Sequence, residues 1–397
     1  MNASVNDTVL ITLLGRSKEK TQSYRSAQYK FDDESLSEDV TFFGWALQRK
    51  IQPERLVLLG TEGSMWDSLF ELDLDFGSEL EEERLALQEA CEQKKVTQQQ
   101  LDALQQPLAQ KLGVRELRLQ LIPYCRTEKQ QVRLLQIIDK QVQKGDELHL
   151  DVTHGFRHLP MLGLLAGLYL SRVRGVSVEK IYYAALDMKE SGDAPAPVLN
   201  LAGLLKIADW VSALERYDHD GDYGQFAALL GEGNEQLKQA AFFERTTNPV
   251  KAREALSGWK SQEGRMEQCS AIAKLFLPEL EKRVAWHKGK NRADWEQSLA
   301  YEYLEKEDFV RATMYGLEGA ISLALSRVQG KNLNDYLSRE EQRKTLMESL
   351  NGFKKLNRVR NALAHGVKSD DKDIRKMIAD ALTLKGTLKS LFKSVFA

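Results

Sequence analysis

Two regimes of periodicity divide this chain and constrain its fold more than any other feature. Through the first 200 residues, short β-branched, apolar runs alternate with helical stretches; beyond Asn200 the strand signals vanish. Residues 9–14 (VLITLL), 55–60 (RLVLLG), 117–123 (LRLQLIP), 147–152 (ELHLDV) and 180–185 (KIYYAA) read as strands, and 36–50, 79–111, 128–144 and 159–173 as helices. Such alternation predicts a mainly parallel sheet with helices on both faces, a Rossmann-like α/β domain. From residue 204 onward, polar turns at 218–222 (DHDGD), 231–233 and 330–334 interrupt an otherwise helical pattern. This predicts an all-α second domain whose segments 309–329, 338–352 and 354–366 form a small antiparallel bundle. The two domains are drawn at 1–200 and 201–397. Segment 79–111, rich in Glu, Gln and Lys, is longer than a crossover needs and is read as a helical insertion, a solvated hairpin on the rim.

A length of 397 residues exceeds one ordinary core, in keeping with two domains. The formal charge of −2 carries no basic excess, so a protein that coats duplex DNA is excluded and any nucleic acid must be held at a local patch. No stretch reaches the roughly 18 to 20 continuous apolar residues that span a bilayer, and residues 1–8 lack a basic flank followed by an apolar run; a cytoplasmic location without membrane contact is expected. Cys91, Cys125 and Cys269 are odd in number and far apart, which argues against a disulfide framework or a paired-cysteine zinc site.

The C-terminal domain holds one segment with chemistry, Asn357-Arg358-Val359-Arg360-Asn361-Ala362-Leu363-Ala364-His365-Gly366. Asn361 and His365 are four apart and share a helix face, with Arg360 beside it. Gly366 is a natural terminator, which puts His365 in the last turn. A histidine that titrates near neutral pH can move the proton of a ribose 2′-hydroxyl or of a leaving 5′-oxygen, while a guanidinium stabilises charge on the phosphate. That chemistry needs no metal and acts on RNA alone, because the 2′-hydroxyl is the nucleophile. A lone histidine near a helix end also fits a capping or packing role, so the spacing by itself does not decide.

In the N-terminal domain the strand 147–152 runs into Thr153-His154-Gly155-Phe156-Arg157-His158 and then an apolar helix. Ligands of open α/β sheets collect beyond the carboxyl ends of strands, where helix N-termini offer amides to anions. Thr153, His154, Gly155 and Arg157 are therefore candidate ligand contacts, joined by Gly15, Arg16 and Ser17 after the first strand and by Thr61, Gly63 and Ser64 after the second. Taken singly, each glycine also fits an ordinary tight turn. No Gly-x-Gly-x-x-Gly follows the first strand and no Walker lysine motif is present, which argues against a dehydrogenase or an ATPase. His154 and His158 bracket Gly155 without a cysteine or carboxylate read as a partner nearby, so no metal centre and no cofactor are expected.

The run 150–160 (LDVTHGFRHLP) at the end of the fourth strand resembles the CARF domain of CRISPR-associated proteins, and Arg360-Asn361-x-x-x-His365 on a late helix resembles the HEPN ribonuclease motif. The order of the two resembles the ancillary ribonucleases of type III CRISPR systems across essentially the whole chain. The resemblance implies a cyclic oligoadenylate as activator, with cyclic tetra-adenylate the first choice over rings of three or six. It further implies single-stranded RNA as substrate, a homodimer that can stack into higher oligomers, and Arg360, His365 and Asn361 as the catalytic group. The alternative is a CARF-type regulator whose helical domain binds a partner or nucleic acid without cutting; the absence of a β-hairpin and basic recognition helix argues against a winged-helix version of it.

Overall fold

The computed structural model describes residues 6–16, 26–70, 80–191, 194–261, 269–365 and 371–397. The chain divides into two compact units, Met1–Lys206 and Ile207–Ala397. The first holds strands β1 (Thr8–Leu13), β2 (Tyr29–Lys30), β3 (Arg55–Gly60), β4 (Glu116–Leu121), β5 (Glu147–Asp151), β6 (Ser177–Ala184) and β7 (Ala196–Asn200). With them lie helices α1 (Phe43–Ile51), α2 (Glu81–Gln93), α3 (Gln98–Leu112), α4 (Glu128–Asp139) and α5 (His158–Tyr169), and α6 (Gly203–Asp220) begins at its end. The strand order is β2-β7-β6-β5-β1-β3-β4, parallel throughout except for the β6/β7 pair. This is the expected Rossmann-like α/β arrangement.

The apolar runs of β1 and β3 are buried along almost their whole length, as strands covered on both faces must be. Their alternation divides the core in two. Leu10, Leu56 and Leu58 join Leu117 and Leu119 under α1, α2 and α3, whereas Val9, Ile11, Val57 and Leu59 join Leu148 and Leu150 under α4 and α5. Segment 79–111 is thus not a rim hairpin. Its helices α2 and α3 bury Leu87, Cys91, Leu101, Leu104 and Leu108 in the first of these cores and form the crossover from β3 to β4, their polar residues facing out. The Glu- and Gln-rich composition reflects the outer face and hid the spaced leucines of the inner one.

Two strands lay beyond the sequence pattern. β2 is only two residues long, and β7 (APVLN) carries Pro197 and follows Pro195, so neither has the apolar run that marks a strand. Backbone pairing creates them: β7 lies antiparallel to β6 and parallel to β2. The stretch 36–42, read as helical, instead forms isolated bridges such as Ala27 to Val40, and the helix starts at Phe43.

At the end of the sheet where the parallel strands begin, Arg55 is 5% exposed and bonds three carboxylates, Asp7 at 2.7 Å, Glu116 at 2.8 Å and Asp146 at 3.0 Å. Desolvating a guanidinium is offset by charged hydrogen-bond partners, and Nη1 also donates to the Gln141 carbonyl.

The second unit continues α6 and adds α7 (Phe226–Leu230), α8 (Glu235–Arg245), α9 (Pro249–Lys260), α10 (Ala271–Arg283), α11 (Arg292–Glu305), α12 (Phe309–Ser326), α13 (Tyr336–Ser349), α14 (Asn351–His365), α15 (Lys372–Met377) and α16 (Ala381–Val395). Its core is aromatic, with Tyr223, Phe226, Trp259, Tyr303, Tyr315, Phe353 and Phe392 all buried. Helix α14 inserts Phe353, Leu356 and Val359 into it at a spacing of three, and so turns the remaining face of the helix outward. Among the described residues no helix is long and apolar enough to cross a membrane.

Candidate functional site

Strand order fixes where a ligand has room. From β1 the sheet grows to β3 and β4 on one side and to β5 and β6 on the other, so the chain reverses direction between β1 and β5. Crossovers that leave the sheet in opposite directions open a crevice at the carboxyl ends of those two strands. The loops carrying Gly15, Arg16, Thr61, Gly63, Ser64, Thr153, His154, Gly155 and Arg157 all follow β1, β3 or β5 at this end. Ser17 and Gly366 lie outside the described residues.

Several of these side chains are committed inward. Ser64 Oγ accepts from the Thr61 amide at 2.9 Å and donates to the Leu14 carbonyl at 3.3 Å, while the Thr61 carbonyl accepts from Trp66 Nε1 at 2.8 Å. Both residues are 3% exposed. The Ser64 hydroxyl pins the loop after β3 to the end of β1, where Arg16 and Ser64 form a bridge, and the Thr61 hydroxyl lies 3.2 Å from it. Thr153 Oγ1 accepts from the Ala184 amide at 2.9 Å and so ties the loop after β5 to β6.

Between β1 and β5 stands Asp151, fully buried, which the sequence reading passed over when it placed no carboxylate near His154. Thr12 Oγ1 donates to its Oδ2 at 2.5 Å and the Thr153 amide to its Oδ1 at 2.8 Å. Burial pushes this carboxyl above the ordinary aspartate range, opposed by His154 and by the Thr12 and Thr153 hydrogen bonds. His154 lies over Gly15 and accepts a long bond, 3.4 Å, from the Phe43 amide at the start of α1. Its Nε2 is therefore the unprotonated nitrogen, in keeping with burial that lowers its basicity against the pull of Asp151. The signal for Asp151 was positional: an acid at the carboxyl end of a strand in the middle of the sheet.

What faces outward is cationic and aromatic. Arg16, Arg126 and Arg157 are exposed. Gly155 takes φ +105°, a conformation costly for any other residue, and so turns the chain into α5, whose N-terminus has no side-chain cap. In that first turn the Leu159 amide donates to the Phe156 carbonyl at 2.7 Å and Pro160 has no N–H, so Arg157 is what the start of α5 offers an anion. Tyr124 and Arg126, in the loop after β4, were not among the sequence candidates although the same positional rule applies to them. Among the described residues no group of His, Cys, Asp and Glu side chains is arranged to hold a metal ion.

In the second unit, Asn357, Asn361 and His365 follow one another four residues apart along α14, with Arg360 beside them. Arg360 is half-buried and its Nη2 donates to Asn357 Oδ1 at 3.3 Å, whereas His365 is exposed in the last turn. Asn357 is the residue here that the motif spacing did not single out.

Comparison with known proteins bears on the first unit. Residues 9–187 match the family described as the CARF domain of the CRISPR system endoribonuclease Csx1. The chain is also 24% identical over 307 residues to the CRISPR-associated protein MJ1674 of Methanocaldococcus jannaschii, an alignment covering 70% of this chain. It spans about half of that relative, 47% of its length. The crevice at the switch point, with its exposed arginines, therefore lies within the segment that matches the CARF family, and the first unit is a CARF domain.

Proposed function

We propose that this protein is a cytoplasmic, metal-independent endoribonuclease of type III CRISPR defence, activated by a cyclic oligoadenylate and cutting single-stranded RNA with Arg360 and His365. The observation that carries the reading is the outer face of α14, where a guanidinium steadied by Asn357 stands one turn from an exposed imidazole. In the reaction the ribose 2′-oxygen bonds to the adjacent phosphorus and the bond from phosphorus to the 5′-oxygen breaks. One imidazole takes the 2′-hydroxyl proton and a second, protonated, supplies one to the leaving oxygen, so the products are a 2′,3′-cyclic phosphate and a 5′-hydroxyl. Arg360 stabilises the charge on the non-bridging oxygens, and Asn361 orients the imidazole or the phosphate.

One α14 supplies one imidazole, so the acid and the base call for two copies of the chain. A homodimer is supported in the CARF unit by α5, which is apolar on both sides. It buries Leu159, Gly163 and Ala166 yet leaves Met161 63%, Leu165 54% and Tyr169 37% exposed at a spacing of four. A two-fold axis through such a stripe gives a cyclic oligoadenylate two equivalent sets of Arg16 and Arg157. Activation requires that the ring bind the cutting arrangement more tightly than the idle one.

The test is cleavage of a fluorescent single-stranded RNA in EDTA, with and without cyclic tri-, tetra- and hexa-adenylate. Cutting that depends on one ring, with cyclic tetra-adenylate expected, and that falls about a thousandfold in His365→Ala and Arg360→Ala supports the proposal. No cutting with any ring leaves the regulator alternative, and cutting without a ring removes the gate.

A further inference from the structure

The loops after β4 and β5 bring three aromatic side chains together at the carboxyl end of the sheet. Phe156 is 43% exposed, unusual for a large apolar side chain in a loop that holds its other parts firmly. Its ring lies near-parallel to His158, 21° at 6.0 Å, and tilted to Tyr124, 60° at 5.8 Å. His158 Nε2 donates to the Tyr124 carbonyl at 3.0 Å, which locks the two loops together. The Tyr124 hydroxyl sits 3.0 Å from where a side-chain carbon on Gly63 would stand, so a glycine there leaves the tyrosine its place. The Arg126 guanidinium lies over the Tyr124 ring at 5.0 Å.

We infer that Phe156, backed by Tyr124 and His158, is the base platform of this site: an adenine of the activator stacks on the exposed phenyl ring while Arg126 and Arg157 take the flanking phosphates. The inference rests on the reading of this end of the sheet as the ring site. Aromatic faces interleaved with guanidinium groups match a nucleotide, which presents a π-face and a phosphate in alternation; a purely anionic ligand gains nothing from the rings and an apolar one nothing from the arginines. Tyr124, His158 and Gly63 act as positioning residues, because they hold the platform.

Isothermal titration of cyclic tri-, tetra- and hexa-adenylate into wild type, and of the ring that binds into Phe156→Ala and Phe156→Tyr, tests this, with sedimentation of each variant alongside. Loss of one stacked base weakens binding about tenfold or more in Phe156→Ala. Phe156→Tyr keeps the π-face and stays within about threefold of wild type. An affinity of Phe156→Ala within about twofold of wild type overturns the platform while the ring site stands. A fall of Phe156→Ala from dimer to monomer overturns it too, because the ring is then covered by a second copy. Failure of wild type to bind any ring overturns both the platform and the reading beneath it.

Discussion

The two ends of the CARF sheet treat charge in opposite ways. Where the parallel strands begin, Arg55 is buried and bonded to Asp7, Glu116 and Asp146, each within 3.0 Å. Where the strands finish, the acid Asp151 and the hydroxyls of Thr12, Thr61 and Ser64 point inward, and Arg16, Arg126 and Arg157 point outward. A buried, bonded guanidinium contributes to the fold and is held away from a ligand. Exposed guanidinium groups contribute little to the fold and are available for binding. Strand polarity makes the difference, since helices that follow parallel strands direct their N-termini to one end only.

The contrast breaks first at Arg55. Arg55→Ala leaves the buried Asp146 without its cation, while Asp7 keeps Arg115 and Glu116 keeps Arg118, and should cost about 3 kcal/mol in urea unfolding, with ring affinity per folded molecule unchanged; an unaltered melt means the cluster is not what holds that end. Glu244, in the helical unit, is the buried acid without such a cation: it accepts from the Tyr303 hydroxyl at 2.8 Å, and burial, helped by Glu302, pushes its carboxyl up to about 8. Its folded pKa is raised, so stability is fully present below the unfolded value near 4.5 and is lost as pH rises to about 8, on the order of 5 kcal/mol. Thermal melts across that range should flatten in Glu244→Gln.

At the ligand end the expected effects are smaller. Gly155→Ala places a side chain at φ +105° and should cost about 1–3 kcal/mol, read in the same unfolding experiment together with weakened ring binding. Arg157→Ala should leave the melt unchanged and weaken ring binding about tenfold, the loss of one charged hydrogen-bond donor. A variant of Arg157 that melts early without a binding defect would erase the distinction between the two ends.

Much of this architecture was legible as pattern. The runs of β1, β3, β4, β5 and β6 are apolar and β-branched because strands covered on two faces have to be, and the switch to a helical period near Asn200 marks the change of fold class. The glycine and hydroxyl loops could be named because a ligand site in such a sheet has a fixed address. The inner leucines of α2 and α3 were legible only against their polar faces, and β2 and β7 were not legible at all, since Tyr29–Lys30 and a strand holding Pro197 become strands through their neighbours.

Chain order and residue type by themselves determined that a Rossmann-like domain precedes a helical one, that Arg360, Asn361 and His365 share a region of one helix, and that Gly155 turns the chain at the end of β5. Only the tertiary structure decided what each polar group does. Thr61, Ser64 and His154 resemble ligand contacts in the sequence, yet packing turns them toward Leu14, Trp66 and Phe43; Tyr124, Arg126 and Asp151 drew no notice and now stand at the crevice. The reason is physical. Periodicity reports which side of an element is buried, whereas a hydrogen bond depends on which residue of a distant element lies within 3 Å, and strand order and crossover direction alone set that.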